Sequence, residues 1–263
     1  MGFEKESLID IYQLSKTYHS ERGDVDAVKE ISLKICKGEF ISFVGPSGCG
    51  KSTLLLILAG LIEPTDGFVN IDGNRVSRPQ TNMGIVFQDP LLLDWRNVLN
   101  NVLLQIEIRK LQRSDYEKRA YDLLAHAGLK GFENKHPYEL SGGMKQRVSI
   151  CRALIHDPSI ILMDEPFGAL DALTRDQMNI DLQHLWQGSG KTICFVTHSI
   201  SEAVFLSDRV VVMSPRPTSI EEILNIKLPR PRKLEIRESI EFGRYVQKIR
   251  ELFYKSGVLQ KEE

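Results

Sequence analysis

The spacing of apolar positions changes twice along this chain, and each change marks a change of architecture. Residues 8–14 (LIDIYQL) and 27–35 (AVKEISLKI) alternate apolar with polar side chains, the period of a half-buried strand, and Lys37-Gly38 predicts the turn that ends them. Residues 40–44 (FISFV) form a short apolar run, as a strand covered on both faces requires. A glycine-rich loop follows, and residues 52–61 (STLLLILAGL) have the length and content of a buried helix. The PTDG sequence at 64–67 predicts a turn, and 67–73 (GFVNIDG) and 83–88 (MGIVFQ) predict two more strands.

From residue 89 to residue 157 the strand signal vanishes. Leu99, Val102, Leu103 and Ile106 recur at helical spacing, and so do Tyr116, Ala120, Leu123 and Leu124. Apolar runs then return at 160–166 (IILMDEP), 192–198 (TICFVTH) and 208–214 (DRVVVMS), separated by helical stretches. Strands alternating with helices predict a largely parallel sheet. The expected organisation is one domain over 1–263. Its α/β core takes 1–88 and 158–214, with an antiparallel β subdomain at the amino terminus. A helical subdomain is inserted at 89–157, and 215–263 is an extension.

That extension opens with Pro215 and Pro217 and runs on to LPRPR at 228–232. Residues 227–237 hold five Lys or Arg and one Glu, so the segment is locally basic. Val246, Ile249 and Phe253 then mark one face of a final amphipathic helix.

Composition narrows the partners. With 34 Lys and Arg against 35 Asp and Glu the net charge is -1, which gives no electrostatic basis for a nucleic-acid partner. The longest apolar stretch, 54–62, is far short of the ~18 residues a membrane span needs. Residues 1–10 carry no signal-peptide core, and Gly2 is followed by Glu at position 6 where acylation needs Ser or Thr. The expectation is a chain that stays in the compartment where it is made. Cys36, Cys49, Cys151 and Cys194 are scattered, without CxxC or zinc-like spacing, and read as reduced thiols.

The chemistry begins at 45–52, GPSGCGKS, which fits GxxxxGK[ST] between a strand and a helix. Gly45, Gly48 and Gly50, with Pro46, Ser47 and Cys49 between them, let the backbone curl and aim N–H groups at phosphate oxygens. The helix start adds its positive end. Lys51 supplies a cation for the β and γ phosphates, Ser52 a hydroxyl for Mg²⁺, and Thr53 continues the helix. The loop predicts a nucleoside triphosphate. At 160–166 a buried strand stops at Asp164 and Glu165, which places two carboxylates at the sheet's carboxyl edge, where open α/β sheets bind ligands. Asp164 there suits Mg²⁺, and Glu165 suits polarisation of the attacking water.

A third string, LSGGMKQR at 140–147, opens a helical stretch. Alone, Ser141-Gly142-Gly143 reads equally as a helix N-cap. Lying between the phosphate loop and the acidic strand, it resembles the signature motif of ABC ATPases, and the likeness in motif order extends from Leu8 to Ser214. The resemblance implies a phosphate-loop NTPase core that hydrolyses ATP with Mg²⁺. It implies Tyr18 stacking on adenine, Gln88 touching Mg²⁺ and the attacking water, and His198 reaching the γ-phosphate. Ser141, Gly142, Gly143 and Asp171 would serve the ATP held by a second copy, so that ATP joins two chains.

Residues 88–102 (QDPLLLDWRNVLNNV) and the tail sequence MSPRPTSIEEILNIKLPRPR look like the ATPase subunits of importers for nitrate, aliphatic sulfonates, taurine and related solutes. That likeness implies separate permease subunits, a periplasmic or extracellular solute-binding protein acting through them, and a peripheral place on the cytoplasmic face of the membrane. Residues 89–97, with Trp95, then resemble the groove that receives the permease. Asp94 departs from many relatives, which carry proline before that tryptophan. Set against the sugar and phosphonate-like importer relatives, the tail carries the expectation of no separate regulatory domain. An exporter or lipoprotein-release ATPase is the same-class alternative. Translation or repair ATPases of this family usually pair two cassettes or insert coiled coils, and neither is seen; a phosphate-loop kinase has no use for LSGGMKQR.

Overall fold

The computed structural model describes residues 6–21 and 23–259. Residues 1–5, including the Gly2 of the acylation pattern, lie outside the described residues. The chain divides into two compact units, Met1–Thr81 with Trp186–Glu263, and Asn82–Leu185.

In chain order the first unit opens with strands β1 (Ser7–Tyr18), β2 (Val25–Cys36) and β3 (Phe40–Val44), then helix α1 (Lys51–Leu58), β4 (Asp66–Ile71) and the two-residue β5 (Asn74–Arg75). The second unit holds β6 (Met83–Val86), α2 (Val98–Val102), α3 (Leu104–Ile108), α4 (Arg113–His126), α5 (Gly142–Leu154), β7 (Ile160–Asp164) and α6 (Ala172–Trp186), whose last residue returns to the first unit. The chain then adds β8 (Thr192–Thr197), α7 (Ile200–Leu206), β9 (Arg209–Met213), β10 (Ile220–Asn225) and α8 (Ile240–Lys255) to the first unit.

Within the first unit β2, β1, β4 and β5 pair antiparallel in that order, the expected amino-terminal subdomain. From Ile31 to Ile35 β2 alternates, burying Ile31, Leu33 and Ile35 and exposing Ser32 and Lys34, so one face is wet. β3 lies between β8 and β9, parallel to both, and β10 closes the edge antiparallel to β9. Every residue of β3 and β8 is buried, which explains why neither reads as an alternating strand. Ser239 caps α8 by accepting the Phe242 N–H at 3.2 Å; of the predicted stripe Ile249 and Phe253 are buried, joined by Phe242, while Val246 is only half-buried.

In the second unit β6 and β7 pair parallel. The helices surround a core of Leu99, Val102, Leu103, Ile106, Ala120 and Leu124, with Val148, Cys151 and Ile155 from α5. These include the apolar positions whose spacing predicted helices. The strands and turn agree with the α/β expectation; the boundaries shift, with β6 ending at Val86 so that Phe87 and Gln88 lie beyond it.

Candidate functional site

The register of the parallel strands decides where their loops emerge. Val44 of β3 pairs with Thr197 of β8, so Gly45 and His198 leave the same edge, one residue beyond each. The loop 45–50 then curls into α1. Gly50, the α1 N-cap, has φ 127°, and a Cβ there would stand 2.5 Å from the Ala27 carbonyl oxygen. Only glycine fits a backbone in that region pressed so closely on β2. The Lys51 side chain is buried, and its ammonium donates to the Gly45 and Pro46 carbonyls at 2.9 and 2.8 Å. The loop is thereby braced around a cation. Tyr18, at the end of β1, lies with its hydroxyl 3.3 Å from Thr53 Oγ1, so the aromatic sits beside the helix that carries Ser52.

His198 is exposed at the junction of β8 and α7. Its neighbours are fixed: Thr197 Oγ1 donates to Glu202 Oε2 at 2.7 Å and accepts the Ser199 N–H at 3.0 Å, and Ser199 Oγ accepts the Glu202 N–H at 3.3 Å. The histidine thus rides on a capped helix start rather than on a free loop.

The second unit gathers the other predicted residues. Val86 pairs with Met163, so Gln88 and Glu165 leave adjacent parallel strands two residues on, with Asp164 ending β7. A Cβ at Gly168 would stand 3.5 Å from Gln88 Nε2 and 3.8 Å from Glu165 Oε2, which places both groups around one small backbone patch. Glu165 has φ 43°, a left-handed conformation uncommon for glutamate and typical of residues held for a task.

Ser141 is the N-cap of α5, accepting the Met144 N–H at 3.3 Å, so the capping reading and the signature reading describe the same residue. Gly142 and Gly143 form the first turn of α5. A Cβ on Gly143 would stand 2.6 Å from Thr174 Cγ2, three residues past Asp171. Asp171 Oδ1 accepts the Thr174 N–H at 3.0 Å; the Thr174 hydroxyl and amide hold its carboxyl below the usual carboxylate range. The signature turn and the Asp171 turn are therefore packed together.

Two residues that pattern reading passed over position these groups. Gln146, buried, donates to the Phe87 carbonyl at 3.2 Å and so steadies the residue before Gln88. Arg152 donates to the Pro90 and Leu91 carbonyls at 2.7 and 2.8 Å, pinning the start of the 89–97 segment while leaving Trp95 75% exposed. A polar residue on the inner face of an otherwise apolar helix was the available signal for Gln146.

Comparison with known proteins agrees with these motifs. The family model described as ABC transporter matches residues 28–168, more than half of the chain. An uncharacterized ABC transporter ATP-binding protein of Methanocaldococcus jannaschii is 47% identical over 241 residues, covering 92% of this chain and 89% of the relative. An aliphatic sulfonates import ATP-binding protein of Bacillus cereus is 39% identical, covering 96% and 98%. A taurine import ATP-binding protein of Jannaschia sp. is 48% identical, covering 76% and 75%. Among solved structures, a dimeric ABC transporter cassette bound to ADP and Pi in a post-hydrolysis state superimposes with a TM-score of 0.74 at 33% identity, over 84% of this chain and all of that one. With a braced phosphate loop, an acidic strand end and a capped signature helix on its own scaffold, the chain belongs to the ABC transporter family, as one of its ATP-binding, ATP-hydrolysing subunits.

Proposed function

We propose that this chain powers an importer for a small solute such as a sulfonate, taurine, nitrate or a related compound, through separate permease subunits. The relatives that carry such names match over 96% of the chain (sulfonates) and 76% of it (taurine), which supports the solute class. The observation that carries the catalytic part is the shared height of Gln88 and Glu165 at the ends of a parallel strand pair.

The roles follow from the groups. The N–H groups of 45–50, the α1 start and Lys51 hold the phosphates of ATP, and Tyr18 covers the adenine. Ser52, Asp164 and Gln88 offer a hydroxyl, a carboxylate and an amide oxygen, the hard donor set that suits Mg²⁺. When bound, Mg²⁺ neutralises charge on the β and γ phosphates. Glu165 accepts a hydrogen bond from the attacking water and orients or deprotonates it, with Gln88 alongside, and His198 donates to the γ-phosphate. Ser141, Gly142, Gly143 and Asp171 close over the ATP held by a second, identical chain, so two ATP molecules glue the pair until hydrolysis removes the γ-phosphate contacts. A dimeric cassette among the similar solved structures supports that pairing.

Among the described residues no helix is long and apolar enough to cross a membrane. The membrane part is supplied by permease subunits that dock on residues 89–97, and the subunit works at the cytoplasmic face. Pull-down of the tagged chain from gently solubilised source membranes should bring a multi-span permease. Ribosomal or DNA-repair proteins in its place would end the transport reading while leaving ATP hydrolysis intact.

A further inference from the structure

Beyond β10 the chain crosses the carboxyl end of α7, and the two arginines of LPRPR hold it there. Arg232, 2% exposed, donates from Nη1 to the Val204, Phe205 and Ser207 carbonyls, each at 2.9 Å, and from Nη2 to the Leu228 carbonyl at 3.4 Å. Arg230 donates to the Leu206 carbonyl at 2.5 Å and to Asp208 Oδ1 at 3.0 Å, and its guanidinium lies 4.4 Å from the centre of the Trp186 ring. The last carbonyls of a helix have no intrahelical partner, and a cation there complements the helix dipole. Residues 228–232 are therefore a fixed wall.

Between that wall and α8 lies a cavity of about 520 Å³, inside the size range of small-molecule sites. Leu228, Pro229 and Ile236 give it an apolar lining. Its charged lining is Lys227, Arg244 and Lys248 against one acid, Glu241. Lys248 is paired with Glu222 of β10. Lys227 and Arg244 have no side-chain hydrogen bond or ion pair among the described residues. The Tyr245 hydroxyl, also in the lining, is held by accepting the Lys227 N–H at 3.1 Å.

We propose that this cavity binds a small amphiphilic organic anion, its sulfonate or carboxylate group on Lys227 and Arg244 and its short hydrocarbon body on Leu228, Pro229 and Ile236. The choice of an anion rests on charge. Two exposed cations without carboxylate partners attract a carboxylate or sulfonate and repel an ammonium, while the apolar lining favours a hydrocarbon body over a bare inorganic ion. No residue of the cavity belongs to the phosphate loop or to the other groups assigned to ATP, so the two ligands do not compete. The wall that the occupant touches also caps α7, the helix that starts two residues after His198.

Titration calorimetry of the full chain with sodium hexanesulfonate, with and without saturating MgATP, tests the assignment. One site per chain is expected under both conditions. A Lys227→Gln, Arg244→Gln double variant alters exposed side chains only, so it should melt like the parent yet bind at least about tenfold more weakly, since it loses both charge-assisted contacts and one alone is worth about tenfold. Hexylammonium should give no binding heat. The proposal is overturned by absence of binding at millimolar hexanesulfonate, by equal affinity in the double variant, by displacement with MgATP, or by hexylammonium binding equally well.

Discussion

Gln88 and Glu165 leave two hydrogen-bonded parallel strands at the same height, each two residues beyond the paired Val86 and Met163. The helical insertion and strand β7, residues 89–164, separate them in sequence, yet the register of β6 and β7 makes them neighbours around Gly168.

Replacing Glu165 by Gln keeps size and shape and removes the carboxylate proposed to activate the attacking water. Phosphate release should fall by about a hundredfold or more, the range of a lost general base, while ATP still binds. ATP-loaded dimers should then accumulate in light scattering. A variant that stays monomeric at saturating ATP would exclude the two-chain arrangement.

Lys51→Ala removes the cation around which the loop is braced. A lost charged hydrogen bond is worth about 1.5–3 kcal/mol, so ATP affinity should drop by roughly tenfold to a hundredfold. Unchanged affinity in calorimetry would count against the loop assignment.

Gly50→Ala forces a Cβ to within 2.5 Å of the Ala27 carbonyl oxygen at φ 127°. The strain is on the order of 1–3 kcal/mol, and relief would require the loop to move off β2. Urea denaturation should show a lower midpoint together with weaker nucleotide binding; an unshifted midpoint contradicts the close approach.

Ser141→Ala should act twice. Loss of the bond from the Met144 N–H costs about 1 kcal/mol of helix stability. Turnover should fall further, because the hydroxyl is assigned to the nucleotide of the second copy, while ATP affinity of the single subunit stays the same. A large affinity loss in the isolated subunit would mean that the signature turn serves its own chain's nucleotide.

Thiol reactivity should be graded. Burial pushes the Cys151 thiol up to about 12 and raises Cys194 further, so neither forms a thiolate at pH 8, whereas Cys36 is half-buried. A disulfide reagent at pH 8 should modify Cys36 first and reach Cys151 and Cys194 only in denaturant. Rapid modification of Cys151 in native protein would show that the α5 core opens.

Much of this molecule was legible in sequence because its chemistry is local. A phosphate loop needs glycines, a lysine and a hydroxyl in consecutive positions, and a buried strand ending in two acids is one continuous string. The helical insert was equally clear, since Leu99, Val102, Leu103 and Ile106 face the same core in fact as by period. Tertiary structure decided what depends on register and approach. Pairing Val86 with Met163 brings Gln88 to Glu165, and the nearness of Ala27 makes Gly50 obligatory. The clearest case is Arg232. Sequence shows a basic, proline-punctuated tail, the usual sign of a solvated segment, yet the guanidinium is buried because the carbonyls ending α7 need a donor and that helix lies some twenty-five residues upstream. Composition fixes which groups can bond, and only the fold brings the distant partner within reach.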